Sequence, residues 1–485
     1  MRTPPGYAWE HGRVTDEAKK TTSGARAQRP DSDAFKRFIT EQWGGDERGR
    51  ATRAAGADFA AERRARLSAR FPGVRIVAPA GDLSPRSNDT DYRFRPHSDF
   101  AYLTGLGADY EPGAVLVMEP TPGRRAASGH AATGHAGSTH TATLYLNPPA
   151  GRDGEGFYSD PRLGEFWIGK RPGLADFAAM TGIPTRPLAD LPPRIRLASQ
   201  PSRAVARALA MMRMVKDAYE VDQVRAAVAA TIAGFERVVG ELPRATEHKR
   251  GERVIEATFD GHAREEGNAV GYETIAASGP HATTLHWIRN DGEVRDGDLL
   301  LLDAGVEVES LYTADITRTL PVAGRFSDVH RRVYDVVLEA ADAAFAVAGP
   351  GSTLREIHKA AMVVIERRLT EWGIVPASDD PEAALYRRWM VHSTSHHLGL
   401  DVHDCAEARR TAYLDGKLEP GMIFTIEPGL YFKEDDLAVP EELRGIGIRI
   451  EDDVLVTADG VENLSRALPR GADEVERWMA ALRRR

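Results

Sequence analysis

Acidic residues and histidines recur where apolar stretches of this chain end. LLLLDAG carries four leucines into Asp303. TADITRT holds Asp315, twelve residues further on, a spacing that suits a short hairpin-like excursion returning the second aspartate beside the first. HSTSHHLGLDVHD supplies His392, His396, His397 and His403, FTIEPGLY supplies Glu427, and GIGIRIEDD supplies Glu451. In the last of these, strand alternation puts Ile446, Ile448 and Ile450 on one face and Gly447, Arg449 and Glu451 on the other. One face can bury against helices while the other offers a carboxylate and a guanidinium to a cavity. FTIEPGLY repeats the logic: Thr425 shares a face with Glu427, and Phe424 and Ile426 point away.

Taken singly, an aspartate after an apolar strand is a turn residue and a strand glutamate is solvated. The set requires another account. Carboxylates flanked by apolar strand residues are costly to bury unless paired or metal-bound. Four of them converging on one point would repel, and some would stay protonated. Two divalent cations balance four negative charges and leave room for a bridging hydroxide. Oxygen-rich ligation with one imidazole favours Mn²⁺, or another hard to borderline ion, over a metal that prefers thiolate.

The order Asp, Asp, His, Glu, Glu, in the contexts DAG, ADITRT, HLGLDVHD, EPGLY and GIRIEDD, resembles the pita-bread metallopeptidases: aminopeptidase P, prolidase and methionine aminopeptidase. The resemblance runs through residues 210 to 470. SNDTDYRFRPHSDFAYLTG also looks like a segment of the aminopeptidase P N-terminal domain, which methionine aminopeptidases lack. The resemblance implies an α+β fold, with a pita-bread catalytic domain behind a smaller α/β domain. It implies two metal ions held by Asp303, Asp315, His396, Glu427 and Glu451, with Asp315 and Glu451 bridging. The aspartate spacing is one residue longer than in the aminopeptidase P compared, which a loop absorbs. His286 of HATTLHWIRND, His392 and His403 match positions lining the substrate site, where they would hold the substrate carbonyl and proline ring and stabilise the oxyanion. Arg449 would orient Glu451 or contact substrate, Tyr431 would line the site, and Asp89, together with Asp303, would take the substrate's amino group. Trp167 of EFWIGKR would help shape a neighbouring subunit's site, in a dimer or tetramer. His281 and His397 have no such match and read as structural.

The implied reaction is hydrolysis of the bond between an N-terminal residue and a following proline. Glu427 would take the proton of the attacking water and deliver it to the proline nitrogen. An Xaa-Pro dipeptidase on the same fold is the nearest alternative. A dipeptidase needs a cation for the proline carboxylate, and Arg449, Arg409 and Arg410 are the residues that might reach it. A non-catalytic, peptide-binding relative would be expected to have lost metal ligands, and here all five are present.

The elements that must position these residues read as follows. The chain has 485 residues, 42% of them hydrophobic, enough for two or three cores. Residues 1 to about 50 read as a mobile extension with one short helix, in which Phe35, Phe38, Ile39 and Trp43 share a face, capped by Asp31 or Ser32 and ended by Gly44-Gly45. It docks on its own domain or, on a sharper reading, reaches a partner subunit. Residues 51 to 205 read as an α/β domain with strands at Val74–Pro79, Ala114–Met118 and Ala142–Leu146. The last two flank a low-complexity hairpin loop over residues 121–143, whose His130, His135 and His140 lack the carboxylates or cysteines that would make a metal tract. Residues 206 to 485 form the larger domain. Its helices are Asp217–Val239, Lys249–Glu266, Phe326–Val347 and Thr353–Trp372, interleaved with strands at Asp298–Val308, Thr317–Val322, Met422–Ile426 and Ile446–Val456.

No P-loop, GxSxG, CxxC or HExxH motif occurs. A net charge of -9 argues against nucleic acid as the main partner. No apolar run reaches membrane-spanning length, and MRTPPGYAWEHGR has no secretory core, so a cytoplasmic location is the expectation. The single cysteine, Cys405, excludes an internal disulfide and fits a reducing compartment.

Overall fold

The computed structural model describes residues 32–44 and 51–484, apart from 89, 109, 122–138, 155, 197–199 and 381. The first helix, α1 (Asp33–Thr40), is capped by Ser32, whose hydroxyl accepts from the Phe35 N–H at 3.2 Å. It stops short of the expected Gly-Gly terminator. The backbone turns extended at Glu41 and left-handed at Gln42, so Trp43 lies outside the helix. Phe35 packs edge-on against Tyr158 and Trp43 against Phe157, which docks the segment on its own chain.

The N-terminal unit comprises α2 (Ala57–Arg70), β1 (Ile76–Pro79), α3 (Ser98–Thr104), β2 (Val115–Pro120), β3 (His140–Leu146) and β4 (Thr185–Pro187). Its sheet runs β1-β2-β3-β4, antiparallel except for the last pair. Strands β2 and β3 form the expected hairpin, with Pro120 opposite His140. His130 and His135 lie outside the described residues. His140 is a strand residue rather than part of a histidine tract: it is buried, with Nδ1 2.8 Å from Ser68 Oγ and Nε2 2.8 Å from the Val74 carbonyl.

The helix α4 (Arg203–Arg213) leads into the larger unit. There α5 (Ala218–Thr246) opens on a capping box between Asp217 and Glu220. It runs past its expected end at Val239 because Leu242 and Ala245 prolong the buried stripe, and Pro243 is accommodated near its C-terminus. It pairs with α6 (Gly251–Glu266). The strands β5 (Ile275–Ser278), β6 (Leu299–Ala304) and β7 (Ile316–Pro321) form an antiparallel sheet in the order β7-β6-β5. A second helix pair follows, α7 (Asp328–Val347) and α8 (Leu354–Glu371), then the short α9 (Arg410–Asp415). The remaining strands are β8 (Ile423–Ile426), β9 (Gly429–Tyr431), β10 (Gly447–Arg449), β11 (Asp452–Val456) and β12 (Val461–Asn463), and α10 (Ala472–Leu482) closes the chain.

The four leucines before Asp303 are explained by two-sided burial. Leu300 and Leu302 join the core formed with α5 and α6, and Leu299 and Leu301 join the core formed with α7 and α8. A strand covered on both faces reads as a continuous apolar run. Ile446, Ile448 and Ile450 all enter the second core, as their alternation requires.

Two expected strands are interrupted. Asp298–Val308 breaks at Gly305, where an added Cβ would lie 1.8 Å from the Ala314 carbonyl oxygen. Ile446–Val456 divides into β10 and β11 because its backbone changes partners: Arg449 pairs with Gly429 of β9, whereas the Glu451 N–H donates to the Thr317 carbonyl of β7 at 3.0 Å.

Candidate metal centre

Two strand partnerships assemble the acidic cluster. Asp303, near the end of β6, lies opposite Thr317 of β7 and Ile275 of β5. Asp315 immediately precedes β7, so the antiparallel return brings the two aspartates together. Glu427 follows β8 and is tied to the histidine segment by its N–H, which donates to the Thr394 carbonyl at 2.9 Å. His396 is fixed beside β8 in the same way: its carbonyl accepts from the Thr425 N–H at 2.9 Å, and its own N–H donates to Thr425 Oγ1 at 3.2 Å. Thr425 Oγ1 also lies 3.3 Å from Glu427 Oε1.

These residues face a cavity of about 600 Å³. Asp303, Asp315, His396, Glu427, Arg449 and Glu451 line it, as do His286, His392 and His403. Asp315, His396 and Glu451 each offer a ligand atom within 4.8 Å of the others. His396 Nε2 is 3.2 Å from Asp315 Oδ2 and 3.5 Å from Glu427 Oε1. Glu451 Oε2 accepts from Thr317 Oγ1 at 2.7 Å, while its buried Oε1 has no hydrogen-bond partner. A buried carboxylate oxygen left unpaired is costly, and a hard cation would satisfy it.

Tyr431 is buried behind the lining, its hydroxyl 2.8 Å from His392 Nε2 and 3.0 Å from Arg449 NH1. Each nitrogen of Arg449 has a partner: it also donates to Asp303 Oδ2 and, through Nε, to Thr317 Oγ1 at 3.0 Å. Asp89 lies outside the described residues. Trp167 is about half exposed on the N-terminal unit, does not line the cavity, and donates from Nε1 to the Tyr158 carbonyl at 2.7 Å. Of the two histidines read as structural, His281 stacks on Trp287 and bonds Glu252, and His397 is fully buried.

Sequence reasoning missed several neighbours. Tyr272 donates to Asp303 Oδ1 at 2.6 Å, and Thr317 bonds both Glu451 and Arg449. Asp453 accepts from the Asp315 N–H at 3.1 Å. Ile275, Leu285, Ile288 and Val402 supply an apolar wall, and Tyr413 of α9 closes another side. The run of three acids in RIEDD was the one signal that could have found Asp453.

The electrostatics match a cluster of like charges. Burial, reinforced by Asp315, Glu427 and Asp303, drives the Glu451 carboxyl well above its ordinary range. Burial also raises Asp303 against the pull of Arg449. For Glu427, burial and the charge of Asp315 outweigh His396 and carry it up to about 7. Burial alone would lower His396, but its bond to Asp315 and the charge of Glu427 lift it to about 9. His392 is pushed down to about 3 by burial and by Arg449.

Residues 222–458 match the profile of metallopeptidase family M24, and residues 60–206 match the aminopeptidase P N-terminal domain. Xaa-Pro aminopeptidase 1 of Streptomyces coelicolor is 49% identical over 448 residues, covering 87% of each chain. This chain belongs to the aminopeptidase P family of M24 metallopeptidases. The Xaa-Pro aminopeptidase of Escherichia coli is 32% identical, covering 88% of this chain and 98% of that one. Among solved structures, the aminopeptidase PepP of Pseudomonas aeruginosa superposes with a TM-score of 0.73 at 30% identity, covering 89% of this chain and all of that one. The aminopeptidase P family thus accounts for both units: the α/β unit ahead of α5 and the α+β, pita-bread unit that carries the cavity.

Proposed function

We propose that this chain is a metallo-aminopeptidase that releases the N-terminal residue from peptides with proline in the second position. The observation that carries the reading is the cavity itself, which the carboxylates of Asp303, Asp315, Glu427 and Glu451 and the imidazole of His396 line together, one Glu451 oxygen having no partner. The donor set suits two divalent ions, Mn²⁺ by its oxygen content. Asp303, Asp315, His396, Glu427 and Glu451 would hold them, with Asp315 and Glu451 between the two. When bound, such a pair lowers the pKa of water and offsets charge developing on the substrate oxygen.

The remaining work falls to side chains. Glu427, which faces the same cavity beside His396, is placed to take the proton of the attacking water and return it to the proline nitrogen. That nitrogen must be protonated to leave as a secondary amine. His286, His392 and His403 face the same cavity and hold the carbonyl and the proline ring. Tyr431 and Arg449 act from behind, Tyr431 orienting His392 and Arg449 orienting Asp303. Asp89 is the group assigned to the substrate's ammonium.

The chain-length preference follows from where the cations lie. A dipeptidase must bind the proline carboxylate. Arg449 is consumed by Asp303, Tyr431 and Thr317, and neither Arg409 nor Arg410 is among the cavity's lining residues. Among the described residues, Arg449 is the one arginine or lysine lining the cavity, and each of its nitrogens already has a protein partner. An Xaa-Pro tripeptide should therefore be cut with higher kcat/KM than the Xaa-Pro dipeptide in the presence of Mn²⁺. Hydrolysis of dipeptides alone would replace this reading with that of a prolidase.

The same reading makes the protein cytoplasmic and homo-oligomeric, as a dimer or tetramer. The lone, buried Cys405 suits a reducing compartment. The exposed Phe166 and Trp167 suit a surface that meets another copy of the chain. No helix among the described residues is long and apolar enough to cross a membrane.

A further inference from the structure

The motif RFRPHSDFAYLTG belongs to the N-terminal unit, yet its polar side chains reach the catalytic one. Arg95 donates to Glu307 Oε2 at 2.6 Å and to the Leu400 carbonyl at 2.6 Å. Ser98 Oγ donates to Asp401, and Asp99 lies 3.4 Å from Arg213 NH1. Arg213, at the end of α4, donates to Asp401 at 2.5 Å and also to Asp404. Lys216 completes the set, 3.1 Å from Asp404 Oδ2. Glu307 apart, these ties lead, directly or through Arg213, to one stretch of backbone, Leu398–Cys405, which carries His403.

That stretch is a thin partition. Val402 and His403 face the substrate cavity. Asp401 and Cys405 face a second cavity of about 790 Å³, bounded across the junction by Arg95, Ser98, Asp99 and Arg213. Leu398, Leu400 and Cys405 anchor the segment in the two cores, while between them Asp401 and Val402 are only partly buried, His403 is exposed, and all three lie between the two cavities. Polar ties then set the exposed turn, those of Arg95 and Ser98 coming from the N-terminal unit and those of Arg213 and Lys216 from beside it. Within the segment, the Asp404 N–H donates to the His397 carbonyl at 2.8 Å, and Cys405 sits at a left-handed φ of 62°, a conformation that needs such support. His403 is set edge-on against His396, with ring centroids 4.5 Å apart.

We propose that the N-terminal unit is a positioning element for the reaction: Arg95, Ser98 and Asp99, acting through Asp401, Arg213 and Asp404, hold the partition so that His403 stays in place over His396. Arg95 and Asp401 are positioning residues that touch neither substrate nor metal. The inference rests on the role given to His403 in the proposed function.

The test uses the full-length, Mn²⁺-loaded protein and an Xaa-Pro tripeptide. Arg95→Met and Asp401→Asn alter half-exposed side chains, so the fold should survive, and metal content and melting curves check this directly. Each should lower kcat about fivefold or more, with KM changed less than twofold and metal content unchanged. Arg95→Lys, which can keep one of the two bonds, should recover part of the loss. The deciding measurement is a double-mutant cycle. In a His403→Ala background, Arg95→Met should cost less than twofold further, because the group it positions is gone. Multiplicative losses, or an Arg95→Met enzyme with wild-type kcat, would overturn the inference. His403→Ala alone tests the underlying reading: wild-type turnover there would remove His403 from the mechanism and this inference with it.

Discussion

Thr317→Val is the sharpest probe of the cluster. Thr317 is fully buried in β7, opposite Asp303. Its hydroxyl donates to Glu451 Oε2 at 2.7 Å and accepts from Arg449 Nε at 3.0 Å. Valine keeps the β-branched shape, so strand and packing should persist. What is lost is one donor to a carboxylate whose other oxygen already has no partner, together with the acceptor of Arg449 Nε, each a change of roughly 1.5–3 kcal/mol for a hydrogen bond to a charged group. Arg449 keeps its bonds to Tyr431 and Asp303 and should not move. If Glu451 is a metal ligand, Thr317 sets its orientation, and removing such a support typically lowers metal affinity about 10–100-fold. Titration of the metal-free variant with Mn²⁺ against a competing chelator measures this. Activity should return to within a few-fold of wild type when Mn²⁺ is saturating. Unchanged Mn²⁺ affinity together with a lowered melting temperature would show that the bonds of Thr317 support the fold without orienting a metal ligand, and would refute this reasoning.

Other outcomes follow from the same geometry. Under the proposed ligand set, in which Glu451 would contact both ions, Glu451→Ala should abolish hydrolysis and lower the metal content found by elemental analysis. Chelation should lower the melting temperature by roughly 4 °C for each ion lost, since an ion present at about 1,000 times its Kd adds about 4 kcal/mol to the folded state and a chain of 485 residues unfolds with about 1 kcal/mol/K of entropy; an unchanged curve after proven metal removal would count against a preformed acidic cluster. Against burial, which raises it, Arg213 and Lys216 hold Asp404 down at about 2, from an ordinary 3.8. A carboxyl lowered on folding stabilises above its unfolded pKa and loses that contribution as pH falls through the folded value. Asp404 should thus contribute about 2 kcal/mol above pH 4 that disappears toward pH 2, and urea unfolding across that window should show a flatter pH dependence in Asp404→Asn than in wild type.

The proposed ligand set was legible in the chain because each member carries its own local signature. Asp303 follows a run of leucines, and Glu427 and Glu451 alternate with Phe, Ile and Thr in patterns that say which face they occupy. Alternation and helical spacing are properties of neighbours in sequence, so they survive without the fold. They also placed Ile446, Ile448 and Ile450 in the core. Where an element ends is less local. The chain leaves α1 before Gly44, and α5 continues beyond Val239, because neighbouring surfaces decide how far a buried stripe extends.

The tertiary structure alone decided who supports the site. Thr317 and Glu451 are 134 residues apart, and Arg95 and Leu400 are 305 apart. No periodicity connects such pairs; they meet because β7 takes over the backbone of Glu451 where β10 ends, and because the N-terminal unit docks against the Leu398–Cys405 segment. The same is true of the cations. By composition, Arg409, Arg410 and Arg449 were equal candidates for a substrate carboxylate. The fold puts the first two outside the cavity lining and surrounds the third with Asp303, Tyr431 and Thr317. A side chain's chemical type is written in the sequence, but whether its charge is available depends on what packing places within 3 Å of it, and packing is a property of the whole chain.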